Sequence, residues 1–349
     1  MPRWWWLAAG FVSLAGLAWL FRAPASPRPR PATVLPGGAV VAYSPGYRVS
    51  FFGIERLHPF DIGKMDRIAD HLVEEGLLGR ADFGIPAPAD DTALAEVHDP
   101  VYLASLHRTP VLARAIEVGV PDVFPASVVE RRVRRPFRLA VGGTELAARG
   151  ALAHGLGINL GGGYHHARPA LGHGFCIYND VAFAIGRLRA SDFRGQVLIV
   201  DTDAHQGDGD HAFFADDPTV TSFSMHQGDL FPTPKLRGDR DIALPAGTDD
   251  ARFLGRLESE LAELLAATNP ALVIHVAGSD VLHDDPLAGL GLSVEGLIRR
   301  DLTVLRAARE RDIAVLYLLA GGYGPSAAKA QARSVAAMLR EVRGPATGP

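Results

Sequence analysis

Residues 197–205 read Val-Leu-Ile-Val-Asp-Thr-Asp-Ala-His, and no other stretch limits the possible folds as tightly. The first four form an unbroken β-branched and aliphatic run, the pattern of a strand covered on both faces of a parallel sheet. Within one residue the character changes to Asp201-x-Asp203-x-His205, followed by Gln206-Gly207-Asp208-Gly209-Asp210. Alternation along an extended segment turns Asp201, Asp203 and His205 to the same side. Two carboxylates and an imidazole at the end of a buried strand are costly to desolvate unless a cation meets them. A metal ion is the simplest such partner. A charged loop capping the next helix is the plainer alternative for this stretch taken alone.

The rest of the chain supplies a setting for such a strand. Its 349 residues, 48% hydrophobic and 21% charged with a formal net charge of -4, suit one large α/β domain or two smaller ones. No net basic charge or long Lys/Arg tract is present, which argues against a nucleic-acid partner. The short cluster Arg131, Arg132, Arg134 and Arg135 reads as a solvated or carboxylate-paired surface. Strand patterns at 39–43, 158–160, 197–200, 220–225, 272–276 and 313–319 alternate with helical patterns at 60–75, 97–112, 144–154, 181–188, 253–267, 294–311 and 326–342. In the first helix, Ile62, Met65, Ile68, Ala69, Leu72 and Val73 share one face. His98 and His107, in the second, read as structural. Strands alternating with helices predict a doubly wound, mostly parallel sheet with helices on both faces.

Ahead of this domain, residues 4–21 form an uncharged run of about 18 residues, close to the ~20 that span a bilayer core as a helix. Three tryptophans at one end and Trp19 near the other suit the two membrane interfaces. Residues 1–22 therefore read as a single transmembrane anchor, with an exported protein after signal cleavage as the alternative. Leu20-Phe21-Arg22 offers no small-x-small cleavage site, and Ala23-Pro24-Ala25 includes a proline. Arg3 and the amino terminus oppose Arg22, Arg28 and Arg30, so the orientation stays open. Residues 23–38, rich in Pro, Ala and Arg, read as an extended linker, and 39–344 as the globular domain.

Ligands of open α/β sheets bind beyond the carboxyl ends of the strands. Four predicted strand ends carry chemistry here: Gly161-Gly162-Gly163-Tyr164-His165-His166, Asp201-x-Asp203-x-His205, Ala277-Gly278-Ser279-Asp280 and Ala320-Gly321-Gly322-Tyr323. Any one could be an ordinary turn with glycine at positive φ. Four on one edge point to a hydrolytic site. Asp203, His205 and Asp280 supply three metal ligands and leave positions open for water and substrate, as catalytic zinc sites do. One histidine with two carboxylates is hard enough for iron(II) as well. Cys176 is the only cysteine, which excludes a zinc-thiolate cluster and an intrachain disulfide. His165 and His166 can face one ligand only from a glycine-loosened turn, where Asp201 and Asp208 are suited to orient them and raise their basicity. Tyr323, on a glycine turn, is a donor for a developing oxyanion.

Together these motifs, with Gly174-Phe175-Cys176-x-x-Asn179-Asp180, resemble the histone deacetylase superfamily over nearly the whole domain, from about Tyr43 to the closing helix. Leu57-His58-Pro59-Phe60-Asp61-x-Gly63-Lys64 and Leu287-Ala288-Gly289-Leu290-Gly291-Leu292-Ser293 look most like its class IV branch. The resemblance implies an arginase/deacetylase-like fold over 39–344 and a zinc-dependent deacylase acting on N-acyl-lysine in a peptide or protein, long acyl chains included. It implies Zn2+, with Fe2+ as the other ion, on Asp203, His205 and Asp280. It makes His165 and His166 the paired general base and general acid, with Asp201 and Asp208 behind them, and Tyr323 the group that polarises the amide carbonyl. Phe175 resembles one aromatic wall of the acyl-lysine channel, and Phe231 is the weaker candidate for the other. Gly163, Gly174 and Gly322 are the glycines assigned to that channel. A structural K+ is implied near Asp201 and Ser224, with backbone oxygens completing the site. Cys176 matches a position beside the channel, where burial outweighs nucleophilic catalysis. One departure is Gln206, where many relatives carry a second histidine and class IV members share the glutamine. Another is the N-terminal hydrophobic segment.

Other readings of the same residues stand beside this one. An acylated small amine such as an acetylpolyamine would use the same chemistry. A two-metal ureohydrolase is suggested by Asp203-Ala204-His205 and Ser279-Asp280 with Asp284-Asp285-Pro286, although the histidine pair and Tyr323 suit a one-metal amidase better. A silent acyl-lysine binding module is disfavoured by the intact motif set. Finally, the small residues at 161–163 and 320–322 predict an apolar cavity for a long acyl chain, glycine serving backbone φ being the plainer explanation.

Overall fold

The computed structural model describes residues 27–50, 55, 58–118 and 125–344. Seven short segments become strands β1 (Ala39–Ala42), β2 (Leu156–Asn159), β3 (Val197–Asp201), β4 (Val220–Gln227), β5 (Arg240–Leu244), β6 (Leu272–Val276) and β7 (Ala314–Leu318). They pair in the order β1-β2-β7-β6-β3-β4-β5, every pairing parallel. The apolar runs among them are unbroken because successive side chains enter two different cores. Leu198, Val200 and Val273 pack with Phe253, Leu257 and Val304 on one face. Val197, Ile199 and Ile274 pack with Ala147, Val181 and Ile185 on the other.

Helices α1 (Lys64–Glu74), α5 (Asp250–Thr268), α6 (Val294–Arg309) and α7 (Ala327–Arg343) belong to the first core; α2 (Arg135–His154) and α3 (Asp180–Ala190) belong to the second. A short α4 (Asp208–Phe214) follows the metal motif. Several helices begin at side-chain caps: Asn179 Oδ1 accepts Ala182 N–H at 2.7 Å, Asp249 accepts Arg252 N–H at 3.0 Å, and Ser293 accepts Gly296 N–H at 2.9 Å. Adjacent strands β3 and β6 are in register with Asp201 opposite Val276. From there the chain leaves β3 towards β4 and β6 towards β7, in opposite directions along the sheet. That is a topological switch point, and it opens a crevice at the carboxyl ends of these two strands.

The doubly wound architecture is the one expected, with local differences that have physical causes. The 97–112 pattern splits into helices Pro100–Ser105 and Thr109–Ala115, since Pro110 starts a new helix more readily than it continues an old one. Helix α2 begins well before residue 144, after a π turn at Glu130–Arg134. The edge strand β5 was not anticipated because Arg240-Asp241-Ile242-Ala243-Leu244 carries too little apolar signal. The expected linker is tied down from Arg30 onwards: Arg30 and Ile85 exchange backbone hydrogen bonds at 2.9 Å, Thr33 N–H donates to Asp82 O, and Leu35 is buried. Of the arginine cluster, Arg132 and Arg134 are buried, and Arg134 pairs with Glu130 at 2.8 Å.

The assignment to a membrane is corrected. Among the described residues no helix is long and apolar enough to cross one. The longest, α2, carries Arg135, Arg138, Glu145 and Arg149 on a single amphipathic helix. The run 4–21, on which the anchor and the exported alternative both rested, lies outside the described residues.

Candidate active site and metal centre

Four loops at the carboxyl edge of the sheet build the site. The first leaves β2 through Gly162 and Gly163, at φ 75° and 77°. A side chain at Gly162 would stand 2.3 Å from the Asp180 carboxylate, so the turn needs glycine there twice over. Asp180, fully buried at the start of α3, fastens this turn by accepting Gly163 N–H (2.9 Å), Tyr164 N–H (2.7 Å) and the Thr144 hydroxyl (2.6 Å). The turn delivers His165 and His166 side by side, ring centres 4.1 Å apart.

Each histidine has a buried carboxylate behind it. His165 Nδ1 lies 2.7 Å from Asp201 Oδ2, and His166 Nδ1 lies 2.7 Å from Asp208 Oδ1. Those contacts make Nδ1 the protonated nitrogen and leave each Nε2 as the working atom. The two environments differ. Burial disfavours charge on His165, but Asp201 and Asp203 outweigh it and hold its pKa well above the usual 6.5. Burial and the neighbouring His165 push His166 down to about 3. Asp208 is shared: Arg168 Nε donates to its second oxygen at 2.7 Å, and His173 Nε2 lies 3.0 Å from that oxygen. Neither Arg168 nor His173 was singled out from the sequence.

Asp203, His205 and Asp280 converge at the switch point, one ligand atom from each lying within 4.8 Å of the others. The convergence does not come from strand alternation, because the strand ends at Asp201. Asp203 Oδ1 accepts His205 N–H at 2.9 Å in a tight turn, while Asp280 Oδ1 accepts Ala204 N–H at 2.9 Å from the next loop. His205 Nδ1 then stands 3.2 Å from Asp203 and 3.0 Å from Asp280.

The donor set fits a divalent cation. Burial and the adjacent Asp203 push Asp280 up to about 7, the signature of two carboxylates crowded together in a dry site. A Cβ at Gly278 would lie 2.0 Å from Asp203 Oδ2, and one at Gly321 would lie 2.6 Å from both Asp203 and Asp280. Glycine at these two positions lets the backbone close over the ligands. Among the described residues this is the one cluster of three such donors. Asp284 and Asp285 serve the fourth loop instead: Asp285 accepts Tyr323 N–H (2.8 Å) and Gly324 N–H (3.1 Å), and Asp284 accepts Ser326 N–H (3.1 Å). Neither belongs to the three-donor cluster.

Tyr323 thus projects from a loop held by Asp285, its ring 5.7 Å from Phe175. Burial, with Asp280 and Asp203 nearby, keeps its phenol well above the usual 10, hence a neutral donor. Phe175 adopts φ 66°, a strained value for a phenylalanine, and packs edge-on to His58 at 4.2 Å. Phe231 stands 5.0 Å from the His166 ring, about 40% exposed, at the mouth. Gly174 packs against both His166 and Phe231, where a Cβ would meet the two at 2.5 and 2.9 Å. Gly163 lines the cavity and packs on Ala320. Gly322 departs from its assignment: it faces Ser279, 1.9 Å from where its Cβ would be, because φ of 124° turns it under the loop.

The two histidines, Phe175 and Tyr323 border a cavity of about 120 Å³, with Ile62, Met65, Ile116, Val118, Val133 and Phe137 also in its wall. Lys64 also borders it, almost wholly buried, donating to Ala320 O (3.1 Å) and Gly321 O (2.9 Å). Burial lowers its pKa to about 8. The clue to Lys64 was its place one turn before Ile68 on the apolar stripe of α1. Cys176 is buried beside the channel with its thiol directed to Gly174 O, and burial raises its pKa. His98 is structural, accepting Asn179 N–H at 3.0 Å.

Comparison with known proteins agrees with this geometry. The histone deacetylase domain matches residues 58–339. Histone deacetylase 2 of Arabidopsis thaliana is 38% identical over 308 residues, covering 86% of this chain and 79% of that protein. Acetoin utilization protein AcuC of Bacillus subtilis (strain 168) is 31% identical over 278 residues, covering 73% and 70%. The crystal structure of an HDAC homolog from Aquifex aeolicus superposes with a TM-score of 0.70 at 26% identity, covering 87% of this chain and 84% of that one. With its sheet, its edge loops and its buried donor set all of that kind, the chain belongs to the histone deacetylase family and is a metal-dependent hydrolase of amides.

Proposed function

We propose that the protein removes acyl groups from acylated lysine side chains, using one divalent ion held by Asp203, His205 and Asp280. The observation that carries this reading is the placement of those three donors beside two carboxylate-backed histidines and Tyr323, at the head of an apolar cavity. Zn2+ is the first choice of ion and Fe2+ the second, given one imidazole and two carboxylates. When bound, the ion acts as a Lewis acid and lowers the pKa of water towards ~7.

The chain's own groups do the rest. Nε2 of one histidine in the 165–166 pair accepts the proton of the attacking water, and Nε2 of the other gives a proton to the departing lysine amine. Asp201 and Asp208 keep both rings in the tautomer and orientation for these transfers. The Tyr323 hydroxyl donates to the carbonyl oxygen as negative charge builds on it. Phe175 and Phe231 flank the alkyl stem of the lysine, with Gly174 leaving room between them. A monovalent cation such as K+ near Asp201 and Ser224 would offset the charge behind His165. The products are a free amine and a carboxylate.

The cavity wall supports acyl chains longer than acetyl, since each buried methylene contributes about 0.8 kcal/mol. One peptide carrying acetyl, octanoyl or myristoyl lysine, assayed beside an acetylpolyamine, tests the substrate class. We expect hydrolysis of the acyl-peptides, lost on chelation and restored by Zn2+ or Fe2+. Full turnover by metal-free protein would refute the mechanism, and exclusive cleavage of the polyamine would refute the acyl-lysine assignment.

A further inference from the structure

Beneath the metal centre sits a charged side chain that the reaction does not touch. Arg300 is fully buried on α6, beside Asp301 in a buried stripe with Leu297, Val304, Leu305 and Ala308. Its guanidinium reaches carbonyls at the base of two ligand loops. Nη1 donates to Thr202 O (3.1 Å) and Gly278 O (2.6 Å), and Nη2 to Ala277 O (3.1 Å). Nε donates to Asp301 Oδ1 (2.7 Å). Asp301 is itself fixed by the Tyr317 hydroxyl at 2.8 Å and by Ser334. Gln331 extends the grip to the fourth loop, donating to Ala277 O and Leu319 O.

The position of this fork is what matters. The β3–β6 ladder ends where Thr202 N–H donates to Val276 O at 2.9 Å. Past that point the strands part, and Asp203 and Asp280 must still be held close despite their repulsion. The guanidinium bonds to carbonyls on both sides of the parting, one residue before Asp203 and two before Asp280. A buried guanidinium is costly to desolvate, and an apolar residue would fill an apolar stripe at less cost. Its rigid planar fork matches several fixed acceptors at once, which an ammonium group cannot do.

We propose that Arg300, braced by Asp301, is a positioning residue for the metal centre, locking the β3 and β6 loops at the separation where Asp203, His205 and Asp280 converge. The inference rests on the ligand assignment made above and deepens it. Its effect is on the affinity for the ion, because the variant must reorganise both loops each time the ion binds. Outer residues that orient metal ligands typically govern affinity by about 10- to 100-fold.

The test is the Zn2+ dissociation constant of the full-length protein, read by competition with a chelating dye, for wild type, Arg300→Gln, Arg300→Lys and Asp280→Ala. Arg300→Gln should weaken Zn2+ by about 10- to 100-fold. Arg300→Lys, keeping the charge but not the fork, should fall between it and wild type. KM should stay near wild type while kcat at sub-saturating Zn2+ falls. A residue that merely stabilised the fold would lower the melting temperature of metal-free and Zn2+-loaded protein alike and leave the dissociation constant unchanged. A folded Arg300→Gln with wild-type Zn2+ affinity overturns the inference. If that variant does not fold, wild-type affinity in Arg300→Lys does so, and if neither folds, wild-type affinity in the isosteric Asp301→Asn does so. Asp280→Ala keeps the two readings apart: undiminished Zn2+ binding there refutes the ligand assignment, whereas loss there with no effect at Arg300 refutes this inference alone.

Discussion

Asp210 offers a test of the electrostatics under the histidine turn. Its carboxyl is buried at the first turn of α4, with Oδ1 accepting Asn179 Nδ2–H at 2.6 Å and Oδ2 without a protein partner. Burial, helped by the nearby Asp201, raises its pKa from 3.8 to about 7. The native protein therefore binds a proton that the unfolded chain releases. Stability from this group is complete below the unfolded value and is lost as pH rises through the native one. Every tenfold difference in proton affinity between the folded and unfolded chain corresponds to ~1.4 kcal/mol, so the full loss is roughly 4 kcal/mol, and about 3 kcal/mol of it falls above pH 5. Asp210→Asn is nearly isosteric, keeps an oxygen for Asn179 and cannot ionise. Urea unfolding of both proteins at pH 5, 6, 7 and 8 should show the variant's advantage growing with pH and levelling off above about 7. Groups out of reach of Asp210 titrate alike in both proteins and cancel in the difference, whereas His165 and His211 feel its charge and contribute to it. A stability difference constant from pH 5 to pH 8 would show that Asp210 is charged throughout, and the reasoning would fail.

Tyr323→Phe removes one donor to the carbonyl oxygen, so kcat should drop by roughly 10²- to 10³-fold with metal content unchanged, as read by turnover and elemental analysis. Gly278→Ala places a methyl 2.0 Å from Asp203 Oδ2, and the folded variant should bind Zn2+ poorly in the same dye competition. Val133→Phe narrows the cavity wall, and kcat/KM for the octanoyl peptide should fall by roughly tenfold or more while acetyl-lysine changes little.

Local pattern carried much of this protein's design. Short β-branched and aliphatic runs at 197–200 and 272–276 read as strands covered on both sides, and alternation with helices makes their sheet parallel. A parallel sheet puts every strand's carboxyl end on one edge, so the four chemical loops had to gather there before any contact was known. Adjacent sequence also sufficed for the histidine pair on its glycine turn and for Asp203 with His205. What local pattern could not reach was any property set by partners distant in the chain. The burial of Lys64, Arg168, His173 and Arg300 is of this kind, because a charge is buried only where carbonyls and carboxylates from other segments await it. Helix α6 held the hint, with Arg300 and Asp301 at core positions of an apolar stripe, but the carbonyls that Arg300 meets lie on two other loops. The same reason explains the linker: Thr33 and Leu35 have no strong pattern of their own, and residues 80–85, brought alongside by the fold, hold that segment down. The switch point between β3 and β6 was equally invisible, since strand order depends on which helices cover which face. It is the strand order that brings Asp280 to Asp203, 77 residues away in sequence, and so makes two separate turns one metal centre.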